Sequence, residues 1–410
     1  MKIEALSGWN REQKHVVVAS YLGWTLDAFD FFLFVFVLKD IAQEFGTEVG
    51  NVTLAITLTL AMRPIGAYLF GRAADRWGRR PTLMADVLLY SALEFASGFS
   101  PNITTLIVLR ALYGIAMGGE WGVGASLTME TIPAKARGFV SGLLQSGYPS
   151  GYLLASLVYG GLFPLIGWRG MFMVGVLPAL LVLYIRRNVP ESPGWDRANA
   201  QRSNTFDVLK AHWRLAVYAI ILMTSFNFFS HGTQDLYPLF LREQHHLSPS
   251  QISVIAIIYN IGAICGGLSF GSLSQRFGRR RAIITAALLS LLAMPLWAFS
   301  ESPAYLALGA FLIQFMVQGA WGTIPVHLNE LSPDEARATF PGTVYQLGNL
   351  LASGNATIQT WIAVSYGGQY SIALAIVAGT VAVVIAIVTA LGTEAKDVAF
   401  GRARSEASAV

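Results

Sequence analysis

The chain has 410 residues, of which 54% are hydrophobic and only 13% are charged. A soluble domain carries roughly 25% charged residues, so the composition excludes an ordinary soluble protein and indicates that most of the surface faces lipid. The net charge of +4 comes from basic residues scattered over short loops without interleaved aromatic residues, which argues against a nucleic-acid-binding protein. The single cysteine, Cys265, lies in an apolar run, so neither a disulfide framework nor a metal site is expected.

Apolar runs long enough to cross a bilayer, which takes about 20 residues, recur along the whole chain. The first run follows a polar N-terminus and has no cleavage site after it, so it is predicted to be a retained membrane helix and not a signal peptide. Six runs are centred near Asp27, Thr59, Ser91, Met117, Leu153 and Pro178, and six more near Asn227, Ile261, Leu289, Met316, Leu351 and Val381. The sequence therefore predicts an all-α membrane protein of twelve transmembrane helices. The predicted six-helix bundles are residues 1–187 and 214–395, with a cytoplasmic linker at 188–213 and a short cytoplasmic tail at 396–410.

Lysine and arginine are distributed unevenly between the two sides of these predicted spans. If the N-terminus is cytoplasmic, most of the 28 Lys and Arg residues fall on the inner segments, as the positive-inside rule requires. Only Lys39, Arg169 and Arg242 fall on the outer segments, while Arg63 and Arg110 lie within helices. We therefore expect an integral protein of the cell inner (plasma) membrane with both termini in the cytoplasm.

The two halves of the chain repeat each other at a constant shift of 200 positions. Residues 71–80 (GRAADRWGRR) pair with residues 271–280 (GSLSQRFGRR). Further pairs are Trp121 with Trp321, Glu130 with Glu330, Pro133 with Pro333, Arg137 with Arg337 and Gly142 with Gly342. A repeat of this kind predicts two pseudo-symmetric bundles related by an axis along the membrane normal, with a central site between them and alternating access by rocking.

The repeated loop identifies a family by resemblance. Residues 71–80 resemble the G-x-x-x-D-R-x-G-R-R loop of the major facilitator superfamily, Arg110 and Gly114 resemble its fourth-helix arginine motif, and residues 190–193 (PESP) resemble an element of its sugar and metabolite porters. In the seventh span, residues 227–235 (NFFSHGTQD) resemble the N-x-x-S/T-H-x-S/T-Q-D sequence of lactate and pyruvate permeases in the sialate:proton symporter family. The family pattern continues with a threonine where this chain has Leu239.

The resemblance implies the major facilitator fold and proton-coupled symport of a small monocarboxylate such as lactate or pyruvate. Sialic acid or another organic acid, aromatic or metabolite, is the alternative substrate. Protons are then the coupling ion, no other cofactor is needed, and a monomer in contact with membrane lipid is expected. An ATP-driven pump or membrane enzyme is not expected, because no Walker sequence occurs and the longest polar stretch is too short for a catalytic domain.

The seventh span carries a polar stripe that should face a partner or an aqueous cavity. In a helix, Asn227, His231 and Gln234 fall on one face, with Asp235 on the adjoining edge. A charge left in lipid costs at least about 2.5–3.5 kcal/mol, so this face is predicted to line the site. Asp27 pairs with Asn227 in the repeat and is expected at a similar depth on the opposite side.

Two arginines within the spans have two possible roles each. Arg110 is the first candidate for binding the substrate carboxylate, because a guanidinium is always charged and binds carboxylates through two hydrogen bonds. It could equally form a structural ion pair with Asp27, Asp30, Glu94 or Glu120. For Arg63 the structural role is favoured.

Proton coupling has several candidate groups. His231 could relay the proton, since histidine titrates near neutral pH, or it could be a neutral hydrogen-bonding side chain. The carboxyl groups of Asp27, Asp30, Glu120 and Asp235 could carry the proton or serve as ion-pair partners. Glu94 is predicted to be structural.

The inner loops carry a further set of charges. They could latch the two bundles together in one access state, or they could only set the topology. These residues are Asp75, Arg76, Arg79, Arg80 and Arg137.

Overall fold

The computed structural model describes residues 8–198, 205–398 and 400, and this part of the chain is helical with no β-strand. The predicted tail falls mostly on residues 401–410 and the middle of the predicted linker on residues 199–204, both outside the described residues. The first eight helices are α1 (Arg11–Phe36), α2 (Leu38–Glu44), α3 (Val49–Trp77), α4 (Arg79–Ser97), α5 (Ile103–Thr131), α6 (Arg137–Gln145), α7 (Gly147–Val174) and α8 (Ala179–Asn188).

Two short helices, α9 (Pro193–Ala198) and α10 (Thr205–Ala211), lie in the linker region. The second half contains α11 (Trp213–Gln234), α12 (Tyr237–Glu243), α13 (Pro249–Phe277), α14 (Arg279–Ala298), α15 (Pro303–Trp321), α16 (Ile324–Leu331), α17 (Thr339–Ala352), α18 (Asn355–Ser365) and α19 (Tyr370–Leu391). Each predicted span corresponds to a helix or to consecutive helices, and the all-α prediction is confirmed.

Nine segments of the described chain are long and apolar enough to cross a membrane by themselves. The other three predicted spans have identifiable irregularities. Helix α4 buries Asp86 and Glu94 among its apolar residues. The sixth span is divided because a turn separates α7 from α8, and it is joined to the fifth span within α7, where Gly167 with a φ of +61° marks the boundary between them. The eleventh span is interrupted between α17 and α18.

Glycines allow the two halves to approach each other at backbone distance. A Cβ atom on Gly142 of α6 would collide with the backbone of Gly267 in α13, and one on Gly71 of α3 would collide with the backbone of Thr339 in α17. Small residues of this kind let membrane helices pack closely where lipid supplies no hydrophobic driving force. Gly122 of α5 likewise faces the backbone of Gly342. The interface between the halves is therefore tightly packed at the end that bears the basic loops, which we call the basic end.

Hydrogen bonds between the halves reinforce this contact. The carboxylate of Asp75 accepts from the backbone N–H groups of Ala338 and Thr339 at 3.0 Å each. At the equivalent place in the repeat, Gln275 accepts from the N–H of Gly138 at 3.3 Å. All the hydrogen bonds and ion pairs that join described residues of the two halves lie at the basic end. The structure is consequently closed at this end.

The segment after α19 crosses the closed end and touches both halves. Arg137 of the first half donates to the carbonyl of Val398 at 2.8 Å. The ring of Phe400 lies 3.7 Å from the guanidinium carbon of Arg137 and 4.1 Å from that of Arg337. Phe400 is buried in an apolar cluster that includes Met129 and Val326, one from each half.

The predicted latch residues differ in what they contact. Asp75 and Arg137 reach the other half directly. Arg79 stays within the first half, where it forms ion pairs with Asp75 and with Glu130, each at 3.1 Å. Arg80 donates to the carbonyl of Arg186, and Arg76 lies over the ring of Trp77, so these contacts are also within the first half.

Candidate functional site

A cavity of about 510 Å³ lies between the two halves, on the far side of the interface from the basic end. Its position follows from the direction of α1, which begins at the basic end and reaches the cavity through Trp24, Phe32 and its last residue, Phe36. The first half supplies Trp24, Phe31, Phe32, Val35, Phe36, Leu60, Arg63, Gln145, Tyr148, Pro149 and Tyr152. The second half supplies Asn227, Ser230, His231, Gln234, Asp235, Pro238, Tyr259, Asn260, Ala263, Gln318, Trp321, Tyr345 and Asn349.

Packed aromatic rings form the floor of the cavity. The ring of Tyr345 lies 6.5 Å from Trp24, 4.7 Å from Trp121 and 5.6 Å from Trp321, measured between centroids. Trp121 also donates to the amide oxygen of Gln145 at 3.4 Å. Rings contributed by both halves thus separate the cavity from the closed basic end.

The polar stripe of α11 lines the cavity. Asn227, His231, Gln234 and Asp235 are all on its wall, as their spacing predicts. Asn227 donates to the carbonyl of Met223 at 2.8 Å, which leaves its amide oxygen available. The amide group of Gln234 contacts that of Gln314 at 2.8 Å and so is tied to α15.

His231 bridges two oxygen atoms at the centre of this stripe. Its Nδ1 atom lies 3.1 Å from the carboxylate of Asp235, and its Nε2 atom lies 3.1 Å from the side-chain oxygen of Asn349 on α17. A neutral imidazole has one N–H, whereas the protonated ring has two. The protonated ring can therefore donate to both oxygens, and the neutral ring can donate to only one.

Arg63 is the only lysine or arginine among the described residues that line the cavity. Its Nη2 atom lies 2.7 Å from the sulfur of Met117, and its guanidinium lies 5.3 Å from the centroid of Phe31. Asp27 interacts with it electrostatically, but Arg63 has no ion pair within 4 Å among the described residues. Its Nε atom has no hydrogen-bond partner among the described residues. The structure thus places Arg63 on the cavity wall, and the structural role favoured from the sequence stays a prediction.

Arg110 does not line the cavity. It is 1% exposed and forms a 2.5 Å ion pair with Glu94 and a 3.0 Å hydrogen bond with Ser97. Its guanidinium lies 4.0 Å from the ring of Tyr113. Of the two roles left open by the sequence, the structure favours the ion pair, and it does not place Arg110 where a substrate carboxylate would bind.

The candidate carboxyl groups of the first half also lie behind the cavity wall. Asp27, Asp30 and Glu120 are at most 1% exposed, and none of them lines the cavity. Their carboxyl oxygens have no hydrogen-bond partner among the described residues. Glu120 lines a much smaller pocket beneath Trp24, next to Ser20.

Sequence reasoning missed several residues of this region. Asp86 of α4 joins the buried carboxyl groups and interacts electrostatically with Glu120 and Asp27. A charge in the middle of the third apolar run was the signal that could have identified it. Asn349 and the aromatic wall of Tyr148 and Tyr152 carry no such signal, because polar amides and aromatic rings are ordinary in packed membrane helices.

Comparison with known proteins gives the family. The family model described as Major Facilitator Superfamily matches residues 20–234 and 234–409. The chain belongs to the major facilitator superfamily. It is accordingly a membrane transporter and not an enzyme, as the sequence predicted.

Individual members of the superfamily agree with this assignment. The chain is 30% identical to a carboxylic acid transporter protein homolog of Saccharomyces cerevisiae over 90% of its own length, and it spans 64% of that protein. It is 28% identical to the sialic acid transporter NanX of Escherichia coli, over 90% of this chain and 92% of NanX. The proton:xylose symporter XylE has a similar fold, with a TM-score of 0.77 at 18% identity over 96% of this chain and 99% of XylE.

This member of the superfamily is electrically asymmetric. Apart from buried charges at the basic end, such as Arg279 and Glu330 of the second half, the buried charges of the described residues belong to the first half. They include Arg63, Asp86, Glu94, Arg110 and Glu120. The positions 200 residues later are occupied by Ala263, Ala286, Met294, Ala310 and Ala320. The first half therefore combines a charged interior with a largely aromatic cavity wall, and the second half contributes most of the polar wall.

The Arg110–Glu94 pair yields a stability prediction. Changing Arg110→Gln or Glu94→Gln alone leaves the other charge buried without its partner, which typically costs about 3–5 kcal/mol. We expect each single variant to lower the thermal unfolding midpoint of the detergent-purified protein strongly. The double variant Arg110→Met/Glu94→Met should recover much of the loss, because both charges are gone.

A matched control is the pair Arg169–Glu44. Like Arg110 and Glu94 it is an arginine–glutamate ion pair, at 2.8 Å, but both of its side chains are partly exposed. Arg169→Gln should change the midpoint little, since exposed ion pairs contribute about 0–1 kcal/mol. Unchanged stability of both Arg110→Gln and Glu94→Gln would contradict the structural role.

Proposed function

We propose that the chain is a proton-coupled symporter of an organic monocarboxylate, with lactate and pyruvate as the first candidates, and that it works by alternating access. The observation that carries this proposal is the central cavity. The guanidinium of Arg63, which forms no ion pair with a described residue, is on the wall of the first half, and the His231–Asp235 pair is on the wall of the second. The resemblance of residues 227–235 to lactate and pyruvate permeases supports the same assignment.

A single guanidinium suits a substrate with one carboxylate. Arg63 is on the cavity wall beside the ring of Phe31, and its Nη2 atom donates to the sulfur of Met117, which is a weak acceptor. A guanidinium that exchanges so weak a partner for a carboxylate can bind it through two parallel hydrogen bonds. Asp27 lies behind the cavity wall and interacts electrostatically with Arg63. A dicarboxylate would find no second lysine or arginine among the described lining residues.

The proton is assigned to the pair of His231 and Asp235. Protonation lets the imidazole donate to Asp235 and Asn349 together, and loss of the proton breaks one of these hydrogen bonds. Because Asn349 lies on α17 and His231 on α11, the protonation state changes a contact between two helices that line the cavity. The buried carboxyls Asp27, Asp30 and Glu120 remain alternative proton sites, because their oxygens accept no hydrogen bond from a described residue.

A larger ring-bearing organic acid is the second candidate substrate. The cavity volume of about 510 Å³ exceeds what a three-carbon acid fills, since pockets for drug-sized ligands measure about 300–1,000 Å³. Phe31, Phe32, Tyr148 and Tyr152 would stack against a flat body. Similar chains include the sialic acid transporter NanX and a probable 4-methylmuconolactone transporter of Cupriavidus pinatubonensis, which is 30% identical over 84% of this chain.

Uptake into proteoliposomes tests the proposed symport. Labelled lactate should accumulate when the outside is acidified and stop accumulating when a protonophore is added. Each pH unit supplies about 1.4 kcal/mol to drive accumulation. A monoanion moving with one proton carries no net charge, so an imposed membrane potential should have little effect.

Competition of labelled lactate uptake by pyruvate, benzoate, nicotinate and sialic acid ranks the two substrate classes. Undiminished accumulation after collapse of the pH gradient would refute the symport.

Arg63→Lys tests the carboxylate site. An ammonium keeps the charge but cannot form the planar pair of hydrogen bonds, and a hydrogen bond to a charged group contributes about 1.5–3 kcal/mol. We expect the apparent affinity for the acid to fall about tenfold or more, with normal surface expression. Arg169→Lys, which changes an arginine outside the cavity, should transport like the wild type. Equal affinity of Arg63→Lys and the wild type would remove Arg63 from the site.

His231→Ala and Asp235→Asn separate proton coupling from binding. If the pair carries the proton, both variants should lose accumulation against a gradient but keep exchange of labelled for unlabelled acid, because exchange needs no net proton movement. If the pair binds the acid, accumulation and exchange should fall together. Glu243→Gln changes an exposed acidic residue outside the cavity and serves as the control. Normal accumulation by both variants would exclude either role.

A further inference from the structure

A second cavity, of about 440 Å³, lies at the basic end on the outside of the second half. It is formed by the loop between α13 and α14 together with the segment that follows α19. The residues lining it are Arg276, Phe277, Gly278, Arg280, Arg281, Ile284, Glu394 and Lys396. None of these residues lines the central cavity between the two halves.

The lining is strongly cationic, and its one acidic group is already engaged. Glu394 accepts from the backbone N–H groups of Arg279 at 3.1 Å and Arg280 at 3.0 Å, so it caps the start of α14. Arg280 donates to the carbonyl of Thr389 and is held against the end of α19. Arg276 and Arg281 are exposed and form no ion pair with another described residue. Lys396 forms a partly exposed ion pair with its neighbour Asp397 at 3.6 Å.

The same loop in the first half shows which of these residues the fold requires. Glu191 caps the backbone N–H of Arg79 at 2.9 Å, as Glu394 does for Arg279. The position equivalent to Arg281 is Pro81. Lys396 follows Glu394 by two positions, and the residue two positions after Glu191 is Pro193. The cap is therefore common to both halves, whereas Arg281 and Lys396 are additional cations that the repeat does not need.

Apolar side chains continue from this cavity onto the lipid-facing surface. Phe277 lies at the edge of the cavity and is 59% exposed, and Leu273 of α13 and Leu288 of α14 are exposed nearby. A ligand that lies across the cavity and this surface would have an anionic head and an apolar body.

We propose that this cavity binds the phosphate group of an anionic phospholipid from the leaflet at the basic end. Arg276, Arg281 and Lys396 surround the phosphate, and the acyl chains lie along α13 and α14. Basic pockets beside transmembrane helices bind the headgroups of anionic lipids by this combination of charge and apolar contact. The proposal does not depend on the transported substrate.

Native mass spectrometry of the full-length protein tests the site. The protein is released from micelles that contain phosphatidylglycerol, cardiolipin or phosphatidylcholine, and bound lipid is counted. We expect the wild type to retain the two anionic lipids and not phosphatidylcholine. The double variant Arg281→Gln/Lys396→Gln should retain at least about tenfold less, since each cation near the surface contributes substantially to anionic lipid binding. Arg281→Lys should retain most of it.

The matched control is Arg72→Gln/Lys135→Gln, which removes two exposed cations from the basic end outside this cavity. It should retain lipid like the wild type. An equal loss of bound anionic lipid in both double variants would show a general attraction to the basic surface and would overturn the proposal. Retention of phosphatidylcholine by the wild type at the level of the anionic lipids would also overturn it. Displacement of the lipid by millimolar inorganic phosphate would assign the site to the free ion instead. If the double variant cannot be purified, the single variant Arg281→Gln replaces it in the same measurement. Arg281 is exposed, so its substitution should leave the fold intact.

Discussion

Charged side chains in the membrane interior must face protein or water, because hydrocarbon offers them no partner. In the first half this constraint determines which face of α1, α3, α4 and α5 points into the bundle and which faces lipid. Asp86 and Glu94 point inward from α4, and Arg110 of α5 meets Glu94 and Ser97. The outer faces of the same helices carry exposed leucines such as Leu69 and Leu88. A helix that fails a simple test of apolarity can therefore still span the membrane, since its charges are paired or enclosed.

The second half meets the same constraint with neutral groups. Polar amides and hydroxyls replace charges around the cavity, and Gln314 and Gln318 of α15 contact Thr233 and Ser230 of α11. The first wall thus carries the guanidinium of Arg63, while the opposite wall offers hydrogen bonds and the His231–Asp235 pair. This division is what the proposed symport uses, because the anion and the proton are then bound by different halves of the protein.

Closure of the basic end depends on glycines and on backbone N–H groups. Gly142 and Gly267 bring α6 against α13, and Gly71 brings α3 against α17. Asp75 accepts from the N–H groups at the start of α17, where the helix dipole favours a negative charge. These contacts join the halves at one end, so a rocking motion that opened this end would break them. Phe400 contacts Arg137 of one half and Arg337 of the other, so it would lose at least one of these cation–π contacts in the same step.

Hydropathy, the positive charges in the loops and the repeat at 200 positions were enough to predict the all-α fold with its two halves, because a bilayer requires long apolar helices and leaves few alternatives. The same reasoning predicted that Asn227, His231, Gln234 and Asp235 share one wall, since helical periodicity alone sets their directions. It put Arg110 before Arg63 as the candidate for binding the carboxylate, whereas the structure places Arg63 and not Arg110 on the cavity wall. Both are single arginines within apolar helices, and their roles depend on whether a carboxylate from another helix reaches them. Glu94 reaches Arg110, whereas Arg63 has no such ion pair among the described residues. Partners of this kind are brought together only by helix packing, so the tertiary structure alone decided which guanidinium faces the cavity.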